Sequence, residues 1–250
     1  MMATNVQDAP LLFLLHHAGG SSLQYAGLFP KLRNRFRLIC VDLPGHGVRS
    51  CEVLLRDIPS MVEDVCGQVT HLAGQHSNTP YALFGHSMGG LLAYLTAAHM
   101  QEKGRPPVCL FVSSSCLPGR HHVPPNLLAL SDDELWLQSS RHFGGISEQV
   151  LDCVELQNYF IPPLRADLAA VINYLPNQLH TLDVPVSVFY GQHDIVQEED
   201  MQVWQRLCTA FFSCRCLEGN HFYLFQNREE LQEHVRTDLE ALMRGGRIPL

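Results

Sequence analysis

The sequence predicts an α/β protein: a mostly parallel sheet flanked by helices, interrupted by a helical insertion. Three observations carry this. Short apolar runs alternate with stretches of helical spacing along most of the chain, the pattern of a parallel sheet covered on both faces. Near the middle, Tyr81-Ala82-Leu83-Phe84 runs into Gly85-His86-Ser87-Met88-Gly89 and then Leu91, Leu92, Tyr94, Leu95 and Ala98, which reads as strand, sharp turn and helix. The alternation then fails between Leu117 and about Leu182, where Pro118, Pro124, Pro125, Pro162 and Pro163 separate short helix-like pieces. Strands bracket that stretch on both sides. One domain over residues 1–250 is therefore expected, with an inserted helical lid over about 117–182.

The elements follow in order. Leu11 to Leu15 is a continuous apolar run suited to a strand buried on both faces, ending in the glycine-containing loop His16 to Ser22. A helix is expected from Tyr25 to Leu32 and a strand from Phe36 to Val41, which ends in the turn-rich Asp42-Leu43-Pro44-Gly45-His46-Gly47. Ser60 is the expected N-cap of a helix reaching Leu72, with Glu63 placed for a capping box. After the central turn and its helix comes the strand Val108 to Ser113. The insertion contributes two amphipathic pieces, Asp132 to Arg141 and Glu148 to Tyr159. The sheet resumes at Val184 to Gly191, followed by a helix over Asp200 to Ala210, a strand over Phe212 to Leu217 and a terminal amphipathic helix over Arg228 to Met243.

Composition narrows the class. A chain of 250 residues with 46% hydrophobic and 17% charged residues is globular and long enough for a substantial core. Its 17 basic and 25 acidic residues leave a formal charge of −8, which disfavours nucleic acid as a partner. Met1 to Pro10 has no signal-type segment, and Leu11 to Leu15 is far too short to span a membrane. Nine cysteines without a secretion signal read as reduced thiols, so a cytoplasmic setting is expected.

The chemistry centres on Ser87. A serine at the apex of a tight strand-to-helix turn, with glycines at the crowded flanks, lifts its hydroxyl clear of the sheet as a nucleophile. It needs a base and an acid to orient that base. Asp194 directly follows the strand ending at Gly191, and His221 directly follows the last strand. The strand ending in Ser113-Ser114-Ser115 offers no competing carboxylate. The order Ser, Asp, His is that of the α/β-hydrolases. The oxyanion donors are expected to be the backbone N–H groups of Met88 and of Ala18, the latter followed by Gly19-Gly20. His16 and His17 read as structural residues at the rim, and Met88 as a pocket wall. Cys214-x-Cys216 with His221 lacks a second ligand pair, so no metal and no cofactor are expected. The glycines form neither a dinucleotide fingerprint nor a phosphate loop.

His17-Ala18-Gly19-Gly20-Ser21, Leu43-Pro44-Gly45-His46-Gly47, Phe84-Gly85-His86-Ser87-Met88-Gly89-Gly90 and Gly219-Asn220-His221-Phe222 resemble the type II thioesterases. Within the insertion, Phe143-Gly144-Gly145 and Pro163-Leu164-Arg165-Ala166-Asp167 are similar to that family's lid. The likeness covers Leu11 to Leu242. It departs at His46, where many members carry arginine, and at Asn220, where many carry a second glycine.

The resemblance implies a discrete enzyme, taken as a monomer, with no membrane or nucleic-acid partner. It would act on acyl groups held as phosphopantetheine thioesters on acyl or peptidyl carrier proteins of polyketide, nonribosomal peptide or fatty acid synthases. It would clear stalled groups or release a fatty acid. Leu151 and Val154 of the insertion, with Phe222, are expected to line the acyl channel. Two other readings stay open: a small-molecule carboxylesterase or lipase-like hydrolase, and a non-catalytic module that binds carrier proteins.

Overall fold

The computed structural model describes residues 9–74, 79–145 and 148–243; most of the expectation about Met1 to Pro10 lies outside them. Six strands form one sheet: β1 (Leu11–Leu15), β2 (Arg37–Val41), β3 (Tyr81–His86), β4 (Leu110–Ser113), β5 (Val186–Gly191) and β6 (Phe212–Leu217), in the order β2-β1-β3-β4-β5-β6. Every pairing is parallel. Parallel neighbours need crossovers, and the helical stretches supply them. The register aligns Leu15 with Gly85, His86 with Ser113, and Ser113 with Phe189. The carboxyl ends of the central strands therefore stop at one edge, and their loops meet there.

Alternation divides the core. Leu11, Phe13 and Leu15 face one apolar layer, with Val65 of α2 (Ile58–Gly74) and Leu92 of α3 (Met88–Glu102). Leu12 and Leu14 face the other, with Leu231, Val235 and Leu239 of the terminal helix (Arg228–Met243). Among the described residues no helix is long and apolar enough to cross a membrane.

Several expected elements differ. The first crossover has only α1 (Ser22–Tyr25) and a 3₁₀ turn at Pro30–Leu32, because Pro30 starts a new turn rather than continuing a helix. Helix α2 begins at Ile58, and Asp57 rather than Ser60 sits at its cap. The Asp57 carboxylate accepts both the Ser60 N–H at 2.8 Å and the Ser60 hydroxyl at 2.9 Å. The helix expected over Asp200 to Ala210 is a short helix, Glu198–Gln202, continued by a 3₁₀ turn to Leu207.

Between β4 and β5 lie α4 (Asp132–Phe143), α5 (Glu148–Leu151) and α6 (Val154–Asn173). Ser131 and Glu134 form the capping box of α4. Pro162 and Pro163, expected to break the chain, lie inside α6. An interior proline costs about 3 kcal/mol. Burial of Ile161 and Leu168 at 3% and 2% exposure, with Leu164, contributes about 1.5–3 kcal/mol per side chain. Tertiary burial wins. The carbonyls that lose donors belong to exposed Asn158 and Tyr159, where water can serve them. Leu127, Leu135, Trp136, Ile161, Leu164 and Leu168 give the insertion an apolar cluster of its own.

Among the described residues the remaining α-helices are α7 (Glu198–Gln202), α8 (Tyr223–Gln226) and α9 (Arg228–Met243).

Candidate active site

Ser87 adopts φ 55° and ψ −120°, a conformation that costs a non-glycine residue about 1–3 kcal/mol. The turn is over-determined. A Cβ on Gly85 would lie 2.0 Å from the Gly89 carbonyl oxygen, and one on Gly89 would lie 2.2 Å from the Leu15 oxygen. The Ser87 N–H bonds Ser113 O at 2.8 Å, tying the apex to β4. Helix α3 starts at Met88, so its partial positive end faces the serine.

Asp194 and His221 come together from the ends of β5 and β6. His221 Nδ1 donates to Asp194 Oδ1 at 2.8 Å, and both residues are 3% exposed. Asp194 also accepts the Val196 N–H at 3.0 Å and the Ser114 hydroxyl. Burial would raise its carboxyl, but the bond and charge of His221, with Ser114 and Val196, outweigh it and hold the pKa below the usual carboxylate value. The acid is ionised and aimed. Ser114 is the residue sequence reasoning passed over. The end of β4 carries no carboxylate but supplies the hydroxyl that holds one, and three consecutive serines give no sign of which.

Other histidines crowd the site as neutral groups. The His86 ring lies 5.0 Å from His221, and burial holds it well below the ordinary value. Burial, with His16, His221 and His46 nearby, pushes His17 down to about 3. His17 is tied to the fold: its N–H bonds the Tyr25 hydroxyl at 3.2 Å, which also lies 2.9 Å from its Nδ1. Among the described residues neither the Met88 nor the Ala18 N–H has a protein acceptor.

A cavity of about 390 Å³ opens over Ser87 and His221, and Ala18, Met88 and Phe222 line it. Leu151 and Val154 do not; Val154 is 60% exposed and Leu151 packs into the insertion's own cluster. Instead Val150, Leu156, Phe160, Leu164 and Leu168 face the cavity. Helical phase is the reason: the α6 residues repeat every four positions along one face, and Val154 lies two positions from Leu156, on the far side.

Cys116, His122 and Asp200 bring potential ligand atoms within 4.8 Å of one another. Their present chemistry is a polar tie. Asp200 Oδ2 lies 2.7 Å from His122 Nε2 and accepts the Gln197 N–H at 3.1 Å, while burial pushes the Cys116 thiol up to about 12.

A parallel sheet carrying a strained serine elbow on its third strand, with an aspartate and a histidine after its last two, defines an α/β-hydrolase. The model of the thioesterase domain family matches residues 10–239. Thioesterase TesA of Mycobacterium marinum is 32% identical over 228 residues, covering 91% of this chain and 90% of that protein. The solved RedJ thioesterase from the prodiginine pathway of Streptomyces coelicolor superposes with a TM-score of 0.84 at 31% identity, covering 95% of each chain. The type II thioesterase BorB from the borrelidin biosynthetic cluster gives a TM-score of 0.79 at 30% identity, covering 91% of each. The chain belongs to the thioesterase family and is a thioester hydrolase.

Proposed function

We propose that this type II thioesterase hydrolyses acyl groups carried on the phosphopantetheine arm of acyl or peptidyl carrier proteins, through an acyl-enzyme on Ser87. The observation that carries the reading is the buried His221–Asp194 pair, whose histidine lines the same cavity as the strained serine. His221 accepts the Ser87 proton as the oxygen attacks the thioester carbonyl. The oxyanion is held by the Met88 and Ala18 N–H groups, and Asp194 stabilises the imidazolium. Collapse breaks the C–S bond and the thiolate takes the proton from His221. Water, deprotonated by His221, attacks the ester carbonyl; the C–O bond to Ser87 breaks, His221 returns the proton to the serine oxygen, and the carboxylic acid leaves. The pathways named for RedJ and BorB favour a synthase carrier as partner. Nine unpaired cysteines, including exposed Cys51 and Cys216, favour a reducing, cytoplasmic setting.

The whole chain is read as one domain, with the insertion as a lid whose inner face lines an acyl channel. A cavity of about 390 Å³ is within the range of small-molecule sites, roughly 300–1,000 Å³. Phenylalanine at Val150 or Leu168 is expected to shift chain-length preference toward shorter acyl groups, while Val154→Phe leaves it unchanged. Turnover on an acyl series checks this; a shift with Val154→Phe alone would refute the assignment.

The oxygen-ester reading is tested with one acyl chain offered both as a carrier thioester and as a simple oxygen ester. The carrier thioester is expected to turn over faster, and a clear preference for the oxygen ester sinks the proposal. A non-catalytic module would bind carrier without any labelling of Ser87 by a fluorophosphonate.

A further inference from the structure

Asp167 sits on α6 with no exposed surface, and its Oδ2 joins two distant parts of the chain. It accepts the Gly19 N–H at 2.8 Å, and it lies 3.0 Å from His46 Nε2. The same turn of α6 closes on Gly19 a second way. A Cβ there would lie 2.9 Å from Leu164 Cβ and 3.2 Å from Leu164 Cα, so the helix backbone rests against a glycine at φ +70°. Leu164 and Asp167 are three residues apart, on one face. From the other side, the Gly20 N–H closes onto His17 O at 2.9 Å, and Tyr25 holds the His17 N–H. Ala18 is suspended between these anchors.

We infer that Asp167 is a positioning residue: by holding the Ala18–Gly19 peptide against α6, it makes the seat of the Ala18 N–H depend on the insertion being docked. This rests on the reading of Ala18 as an oxyanion donor. An undocked α6 would release the Gly19 N–H and remove the Leu164 wall, leaving the loop held from one side only. Hydrolysis would then proceed only with the insertion closed on the body.

His46 makes the same link titratable. Its Nδ1 lies 3.1 Å from the Pro44 carbonyl oxygen, and its Nε2 faces Asp167. Neither partner can donate, so only the doubly protonated ring satisfies both. The groups around it are Asp167 on α6, Asp42 after β2, and His16 and His17 after β1. The His16 ring lies 4.9 Å away. Burial and the His46 charge lower the His16 pKa. Burial also opposes the His46 proton, but the Asp167 bond and charge, with Pro44 and Asp42, prevail and raise its pKa. A raised histidine stabilises the docked state fully below the free value, about 6.5, and that contribution is lost as pH rises through the folded value. The link loosens on the alkaline side.

The test is steady-state hydrolysis of a carrier-bound acyl thioester from pH 6 to 10, with thermal stability measured alongside. Asp167→Asn is expected to lower kcat about tenfold to a hundredfold, the scale of misplacing a reacting group by about 1 Å, with KM changed little. His46→Gln should lower kcat on the acid side, where the wild-type ring is charged, and converge with the wild type as pH rises. His46→Arg, which keeps a fixed charge and donors, should hold kcat and abolish the fall of activity on the alkaline side. Full kcat in Asp167→Asn, with only a lower melting temperature, would overturn the inference. Should Asp167→Asn fail to fold, the two His46 variants decide, and identical pH profiles in both would also overturn it. Ser87→Ala run in parallel separates the two readings: retained turnover there rejects the serine mechanism, whereas its loss with unchanged Asp167→Asn kinetics rejects only this positioning role.

Discussion

Replacing Ser87 with alanine is expected to cut turnover of a carrier-bound acyl thioester by about 10⁴-fold or more, the scale of removing the nucleophile from such a triad. The fold should survive. The strain at φ 55° is imposed by the backbone of the turn, through the Ser87 N–H to Ser113 O bond and the packed Gly85 and Gly89, and alanine bears it as serine does. The measurement is single-turnover hydrolysis beside a melting curve. Loss of activity with an unchanged melting temperature is the expected pair. An undiminished rate would remove Ser87 from the chemistry and leave the elbow as a structural turn.

The second large effect is expected from Asp194→Asn. The carboxylate accepts bonds from His221, Ser114 and the Val196 N–H, all buried. An amide nitrogen facing His221 Nδ1 cannot accept its proton. The imidazole then turns to the wrong tautomer, and kcat falls by about 10⁴-fold. Stability changes with a definite sign. The folded carboxyl has a lowered pKa, so its contribution is present above the unfolded value, about 3.9, and is lost as pH falls through the folded value. The wild-type protein should therefore lose stability below about pH 4 more steeply than Asp194→Asn. Equal acid-unfolding curves would mean that the carboxylate is not held by these partners.

Much of this protein was readable from local pattern. Five of the six strands announce themselves as apolar runs, β6 (Phe212-Ser213-Cys214-Arg215-Cys216-Leu217) being the mixed one, and the elbow by glycines whose absent Cβ atoms the turn requires. Asp194 and His221 stand out because a parallel sheet delivers every strand end to the same edge. Where local pattern misled, burial or turn chemistry had overridden it. Asp57 outcompetes Ser60 for the start of α2, and α6 runs through Pro162 and Pro163 because its apolar face is covered.

The sequence by itself determined the strands of a mostly parallel sheet, the turn at Ser87 and the order of the three polar residues, because each depends on spacing within a few residues or on the end of a strand; the strand order came from the structure. Only the tertiary structure decided which groups support them. Ser114 reaches Asp194 across 80 residues, Asp167 reaches His46 across 121 and Gly19 across 148. It also decided that Leu156, Phe160, Leu164 and Leu168, not Val154, face the cavity. The Ser114 contact depends on which strand ends the sheet sets side by side, and the others on where one helix docks and on its rotation about its own axis. An amphipathic pattern identifies an apolar face; what that face covers is set by the rest of the chain packed against it.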